Sequence, residues 1–238
     1  MKAPLRLIVL DQVPIFKQLQ MEEALLRLDT QNWCLLNQGS PPSIVMGISG
    51  NPHESLNQEK MKAAPLPLIQ RYSGGGTVVV DPNTLFVSFI FQKTAHPFSC
   101  FPESIFRWTE IFYKEAFDIP YFQLIENDYT IGELKCGGNA QYIQKERFAH
   151  HTTFLWDYDP YLMDYLAFPK KVPAYRSKRP HSEFLCRLQS FLSSKDQFFR
   201  QISETLSKRF TLLPTSSDDI SPLLNQPHRK TTRLVNEL

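Results

Sequence analysis

Residues 71–77 read Arg-Tyr-Ser-Gly-Gly-Gly-Thr and lie between two apolar, β-rich runs, Leu66–Ile69 and Thr77–Val80. Consecutive glycines let backbone N–H groups approach a ligand without obstruction by side chains. Arg71 can form a forked contact with a phosphate or a carboxylate. A strand follows the glycines, whereas Walker A loops and dinucleotide fingerprints need a helix there. We therefore favour an anion-binding loop over a long hairpin turn.

A second candidate segment runs through Glu126-Asn127-Asp128-Tyr129 to Lys135-Cys136-Gly137-Gly138-Asn139-Ala140-Gln141. A lysine beside two glycines can reach a bound anion, because the glycine backbone leaves room for the ligand. The third polar feature is the pair His150-His151. Adjacent residues of a strand point to opposite faces, so this pair is not expected to bind a metal.

In the rest of the chain, the pattern of apolar residues predicts a mixture of helices and strands. Apolar spacing predicts a helix over 15–28, another around Ile105–Ala116, and a third that begins at the N-cap Ser194. Glu54–Ala64 is expected to form a polar helix, and the runs Trp33–Leu36 and Ser43–Ile48 a hairpin. This pattern indicates an α+β fold, with a mixed or antiparallel β-sheet packed with helices.

Composition limits the possible function classes. The 238 residues are 42% hydrophobic and 21% charged, which is typical of a globular protein and excludes a disordered one. A net charge of +2 does not argue for nucleic acid or membrane partners. The four cysteines have no C-x-x-C spacing and no apolar run reaches 18 residues, so we expect reduced thiols and a cytoplasmic location. Glu22 and Glu23 flank an apolar stripe and are expected to be solvated or to cap a helix.

These motifs together resemble the lipoate–protein ligase A family, within the group of biotin and lipoate ligases and octanoyltransferases. The resemblance begins at Met21-Glu22-Glu23 and ends at His150–Leu155. Between these ends, four segments carry it, namely Pro42–Gly47, Arg71–Gly76, Asp81–Thr84 and Asn127–Gln141. It implies a catalytic domain of the biotin/lipoate ligase type over 1–210, followed by a tail or reduced accessory segment over 211–238.

The resemblance also implies an activity. Members of this family use ATP and Mg²⁺ to convert lipoate to lipoyl-AMP, and then transfer the lipoyl group to a lysine of an acceptor. The implied acceptor is the apo lipoyl domain of a 2-oxoacid dehydrogenase or a glycine cleavage H protein. Lys135 is the implied catalytic residue, and Asp128 a candidate metal ligand. The implied substrate and ATP contacts are Arg71, Ser73, Gly74, Gly75, Gly76, Thr77, Asn127, Asp128, Lys135, Gly138 and Ala140.

Several positions depart from the family pattern. Gln70 replaces an arginine, Val80 a histidine and Thr152 a glycine, and residues 47–51 lack an expected arginine and glutamine. One alternative is therefore an ATP-independent lipoyl or octanoyl transferase or amidotransferase, with Cys136 as a thioester-forming nucleophile. Another is a lipoate-binding protein with a decayed site, although the retained Lys135 and glycine loop argue against it.

Overall fold

The computed structural model describes residues 2–168, 172–177 and 179–235. The strands found there are numbered in chain order as β1 (Ala3–Asp11), β2 (Trp33–Gln38), β3 (Ser43–Met46), β4 (Leu68–Gln70), β5 (Val78–Val80), β6 (Thr84–Gln92), β7 (Phe122–Ile125), β8 (Asp128–Ile131), β9 (Leu134–Ile143), β10 (Arg147–Leu155), β11 (Phe210–Pro214) and β12 (Arg233–Leu234). The helices are α1 (Ile15–Leu28), α2 (Pro52–Ser55), α3 (Gln58–Ala63), α4 (Pro102–Phe117), α5 (Pro160–Met163), α6 (His181–Phe184), α7 (Lys195–Arg209) and α8 (Ser221–Leu224).

The strands form a large and a small sheet. The large sheet has the order β11-β1-β2-β6-β10-β9-β8-β7, and the small sheet has the order β12-β4-β3-β5. Strand β1 pairs in parallel with β2 and β11, whereas β6, β8, β9 and β10 pair antiparallel with their neighbours. The predicted α+β class with a mixed sheet is confirmed.

The predicted hairpin between residues 33 and 48 is wrong. Strand β2 pairs with β1 and β6 in the large sheet, whereas β3 pairs with β4 and β5 in the small sheet. The connection leaves one sheet at Gly39, which has a φ of +103°, and Ser40 then donates its N–H to the Asp81 carbonyl. Pro41 and Pro42 have no N–H to donate, so this segment cannot close a hairpin ladder.

Strand β6 shows why the large sheet is covered on both faces. Its odd residues, such as Phe89 and Phe91, pack into an apolar cluster with α4 and α7. Its even residues Phe86 and Ile90 pack into a second cluster with α1. Because side chains alternate along a strand, a strand with apolar residues at both parities needs helices on both faces.

The helices largely follow the local signals. Helix α1 spans Ile15–Leu28 as predicted, and α4 contains the predicted segment 105–116. Ser194 accepts a hydrogen bond at 3.0 Å from the Gln197 N–H, which confirms the predicted cap of α7. The predicted polar helix over 54–64 is instead divided into α2 and α3, since Asn51 and Asn57 each cap a new helix.

The tail contributes to both sheets. Strand β11 extends the large sheet beside β1, and β12 pairs with β4 in the small sheet. The predicted division at 210/211 falls inside β11, and the separate role of 211–238 stays a prediction. All four cysteines are free. Within the described ranges, no helix is both long and apolar enough to cross a bilayer.

His96 is expected to make stability depend on pH. Its ring lies between Trp108 and Phe148, and burial lowers its pKa to about 4. The unfolded chain therefore binds more protons than the folded one between pH 6.5 and about 4, and the stability present above pH 6.5 is lost on acidification. The wild-type protein should therefore lose stability when the pH falls from 7.5 to 5. We expect His96→Phe to reduce this decrease in the free energy of unfolding by up to about 2 kcal/mol.

The measurement is the free energy of unfolding in denaturant at both pH values. His53→Phe, at an exposed position, is the control and should leave the difference unchanged. Equal pH dependence in wild type and His96→Phe would show that this histidine is not held neutral by the fold.

Candidate functional site

A cavity of about 740 Å³ opens between the small sheet and one face of the large sheet. All of the predicted site residues line it except Ser73 and Gly74. Ser73 is buried and its carbonyl accepts the Ile48 N–H, whereas the Gly74 carbonyl is turned toward Arg71. The structure therefore brings the two predicted segments, 71–77 and 126–141, to one cavity, and their contacts with a ligand stay predictions.

Arg71 stabilises the glycine loop, residues 71–77, through hydrogen bonds to carbonyl groups of the loop itself. The Arg71 Nη2 donates to the carbonyls of Gly74 at 2.8 Å and Gly76 at 2.9 Å, and Nε donates to Gly74 at 3.2 Å. Burial lowers the pKa of Arg71 to about 10, so the guanidinium stays charged at neutral pH. The loop is not a hairpin turn, because β4 and β5 each pair with β3 and not with each other. In the structure, Arg71 therefore stabilises the conformation of the loop.

Two glycines are required by close packing in this region. Gly75 has a φ of +105°, and a Cβ there would lie 2.6 Å from the Arg71 Nη2. A Cβ on Gly47, which follows β3, would lie 2.2 Å from the Gly75 carbonyl oxygen. The loop backbone thus packs directly on the chain that leaves β3. By contrast, nothing lies within 4 Å of a Cβ on Gly76.

An irregularity in β9 points Lys135 into the cavity. Tyr129 of β8 pairs with Gly137, but the next residue, Thr130, pairs with Lys135, so Cys136 is an extra residue on β9. Such a β-bulge changes the face to which the following side chains point. Lys135, Gly138 and Ala140 therefore all line the cavity. The bulge has no signature in the sequence, because an extra residue in a ladder leaves no periodic signal.

Asp128 fixes the position of the Lys135 side chain. The Lys135 Nζ lies 2.8 Å from Asp128 Oδ1, and the Tyr175 hydroxyl donates to Asp128 Oδ2 at 2.9 Å. Gly138 is the register partner of Asp128, and a Cβ there would lie 3.4 Å from the Lys135 Nζ. Glycine at 138 thus leaves room for the lysine side chain. Tyr175 was not a predicted site residue.

The described residues hold no dedicated metal cage. Among residues 2–168, 172–177 and 179–235, no three His, Cys, Asp or Glu side chains are grouped suitably to hold a metal. Both carboxylate oxygens of Asp128 already have partners. The predicted metal role of Asp128 therefore has no support from neighbouring ligands and stays a prediction.

The described part of the segment between α5 and α6 covers one side of the cavity. Val172, Pro173 and Arg176 line it, whereas residues 169–171 and 178 lie outside the described part of the chain. The Ala174 N–H donates to Glu126 Oε1 at 2.7 Å, which ties this segment to the loop before β8. Further along, Leu185 forms a parallel bridge with Lys135.

Glu22 is the main correction to the predicted site. It was expected to be solvated or capping, yet it is fully buried beneath the cavity. Its Oε1 accepts hydrogen bonds from Ser88 at 2.6 Å and Gln18 at 2.8 Å, and lies 2.9 Å from His151 Nδ1. Burial raises the pKa of Glu22, but the His151 charge and these hydrogen bonds hold it below its usual value. The i, i+4 spacing of Gln18 and Glu22 on the apolar stripe was the available signal.

Glu23 is also buried, contrary to the expectation. It accepts hydrogen bonds from Arg27 and from the backbone N–H groups of Thr231 and Thr232. Burial raises its pKa, but these hydrogen bonds outweigh that effect and hold the pKa below its usual value. Glu23 therefore anchors the C-terminal tail to α1.

The two histidines of β10 point to opposite faces, as predicted. His151 lines the cavity, whereas His150 packs against the Phe106 ring on the other face. Burial lowers the pKa of His150 to about 3, so it stays neutral. The pair therefore does not form a joint metal site.

Cys136 does not face the cavity. Its side chain is fully buried in the apolar cluster on the other face of the large sheet, and burial raises its pKa well above the usual range. A thiol in this position is neither ionised nor in reach of a ligand in the cavity. The structure thus argues against the hypothesis of Cys136 as an acyl-accepting nucleophile.

A family model described as the lipoyl protein ligase A/B catalytic domain matches residues 14–211. The chain belongs to this family. The family predicted from the motifs is thereby confirmed, and it places the cavity in the catalytic domain of that family.

Individual relatives are more distant. The inactive lipoate–protein ligase 2 of Plasmodium falciparum is 27% identical over 234 residues, which cover 72% of this chain and 60% of that protein. Lipoate–protein ligase 1 of Staphylococcus aureus is 32% identical over 146 residues, or 59% of this chain and 43% of that protein. The chain thus spans roughly half the length of these relatives. A crystal structure of lipoate-protein ligase A bound with ATP has the same fold, with a TM-score of 0.75 and 18% identity, over 94% of this chain and 93% of that one.

Gly75 and Gly76 provide a matched test of the loop geometry. Gly75→Ala should lower stability by about 1–3 kcal/mol, because it adds a side chain at positive φ against Arg71. Gly76→Ala should stay within about 0.5 kcal/mol of wild type, since its Cβ enters open space. Thermal unfolding of both variants checks this, and equal destabilisation by the two substitutions would contradict the loop geometry described here.

Proposed function

We propose that the chain activates lipoate with ATP to lipoyl-AMP, and transfers the lipoyl group to a lysine of an apo lipoyl domain. The observation that carries this proposal is a positioned cation, Lys135, in a cavity that has an apolar region in its wall. Ile15, Val45 and Phe86 contribute to that wall. A carboxylate with an apolar tail is the kind of ligand that this distribution fits.

The dimensions support an eight-carbon acid. Lys135 and Ala140 are separated by roughly 16 Å along β9, at about 3.3 Å per residue. The lysine side chain takes up part of this distance, and an extended eight-carbon chain spans roughly 9 Å. The apolar end of the bound acid would then lie near His151, the register partner of Ala140. Burial of the tail contributes about 0.8 kcal/mol per CH₂.

The cations and N–H groups of the site suit adenylation. Attack of a carboxylate on the α-phosphate of ATP brings two anions together, so the site must stabilise negative charge. Lys135 supplies a point charge, and residues 75–77 of the glycine loop line the same cavity. Mg²⁺ bound to the triphosphate would neutralise charge on the departing pyrophosphate, with phosphates and water as most of its ligands. The mixed anhydride formed is reactive enough to acylate an acceptor lysine without a protein nucleophile.

The relatives support the proposed ligation and the proposed energy source. Their names describe ligation of lipoate to protein, and one solved relative holds ATP. One relative is named as an inactive ligase, so catalysis by this chain needs a direct test. An ATP-independent transferase is the second candidate from the sequence, but the described part of the cavity wall contains no cysteine to carry a thioester.

Lys135 variants test the proposal. Lys135→Ala should lower the rate of lipoyl transfer about ten- to two-hundredfold, because a charge-assisted contact contributes roughly 1.5–3 kcal/mol. Lys135→Arg should restore little, since a planar fork does not replace the ammonium group. The measurement is the mass of an apo lipoyl domain after incubation with the enzyme and lipoate, with and without ATP.

Lys62→Ala, at an exposed position outside the cavity, is the matched control and should behave as wild type. Transfer that does not need ATP and is lost in Cys136→Ser would establish the transferase alternative. Lipoate binding without any acceptor modification would instead indicate a non-catalytic binding protein.

A further inference from the structure

Cys136 and Cys186 are neighbours across a parallel bridge. Lys135 pairs with Leu185, and the Cys186 N–H donates to the Lys135 carbonyl at 2.9 Å. Lys135 and Leu185 both line the cavity. The next residue on each segment points to the opposite face, where both cysteines pack in or against the same apolar cluster.

The two cysteines directly follow the bridged residues Lys135 and Leu185. The Cys136 thiol donates to the Tyr129 carbonyl at 3.4 Å, and the Cys186 thiol donates to the Leu134 carbonyl at 3.5 Å. Bridged strands lie about 4.7–4.9 Å apart, which is within the Cα separation of about 4.4–6.8 Å that a disulfide needs. The backbone can therefore accept a disulfide here with little movement.

We propose that Cys136 and Cys186 are a thiol modification site, at which a reversible disulfide links β9 to the segment that covers the cavity. The consequence depends on where each cysteine lies. Cys136 is the bulge residue that directs Lys135, and Cys186 follows Phe184 and Leu185 in the cavity wall. The disulfide would link the segment that contains Phe184 and Leu185 covalently to the strand that carries Lys135. It would thereby slow the entry of ligands into the cavity and their release.

The chemistry requires an oxidant such as a low-molecular-weight disulfide. Cys186 is the attacking group, because it is only partly buried and the neighbouring Cys136 thiol lowers its pKa. Its thiolate attacks one sulfur of the oxidant, which releases one thiolate and leaves a mixed disulfide on Cys186. Cys136 then attacks the Cys186 sulfur while its proton passes to the departing small thiolate, which leaves as the second thiol. In total, two protein thiols are oxidised and one small disulfide is reduced to two thiols.

The test uses the full chain and glutathione disulfide as the oxidant. After alkylation of the remaining thiols, peptide mapping should find Cys136 joined to Cys186, while Cys34 and Cys100 are alkylated. Cys136→Ser should retain glutathione on Cys186, and Cys186→Ser should take up none at Cys136. Cys100→Ser is the control and should form the same disulfide as wild type.

A functional readout follows the chemical one. The oxidised protein should melt at a higher temperature and bind lipoate several-fold more slowly than the reduced one, and dithiothreitol should reverse both changes. A pair that stays reduced, or an oxidised protein with unchanged melting and binding rate, would overturn the proposal. The slowed binding rests on the function proposed above, but the mapped disulfide does not, so failure of either proposal can be recognised separately.

Discussion

One extra residue in β9 determines how the site is built. Because Cys136 is inserted opposite β8, Lys135 lies on the same face of the sheet as Gly138 and Ala140, and all three line the cavity. In a regular strand, residues 135 and 138 would point to opposite faces. The ion pair with Asp128 and the space left by Gly138 then hold the ammonium group in place. The position of the Lys135 ammonium group in the cavity thus depends on the register between β8 and β9.

The rest of the cavity depends on backbone packing and on satisfied polar groups. Arg71 uses its guanidinium to hold the glycine loop, and Gly75 rests on Gly47 with no room for side chains. Beneath the cavity, Glu22 and His151 are buried together with hydrogen-bonding partners. A buried carboxylate is tolerable only when such partners replace the water it has lost. The loop and this network define the cavity before any ligand enters.

Local signals in the sequence were sufficient for the features that depend on neighbouring residues. The spacing of apolar residues predicted helix α1, and Ser194 predicted the start of α7. The strands near residues 33 and 46 were recognised, but not their partners, because pairing is decided by residues far away in the chain. Glu22 was misjudged for the same reason, since its partner His151 is 129 residues away. The motifs around Arg71 and Lys135 identified the cavity wall, whereas the bulge had no sequence signature.

The central claim is that Lys135 acts in the joining of a carboxylate to the α-phosphate of ATP. The most direct test is the exchange of labelled pyrophosphate into ATP in the presence of lipoate, with no acceptor protein, because it reports only the adenylation step. We predict exchange that requires lipoate in wild type and falls about ten- to two-hundredfold in Lys135→Ala. Absence of exchange in a folded wild-type protein that binds both ligands, or equal exchange in the two proteins, would contradict this account.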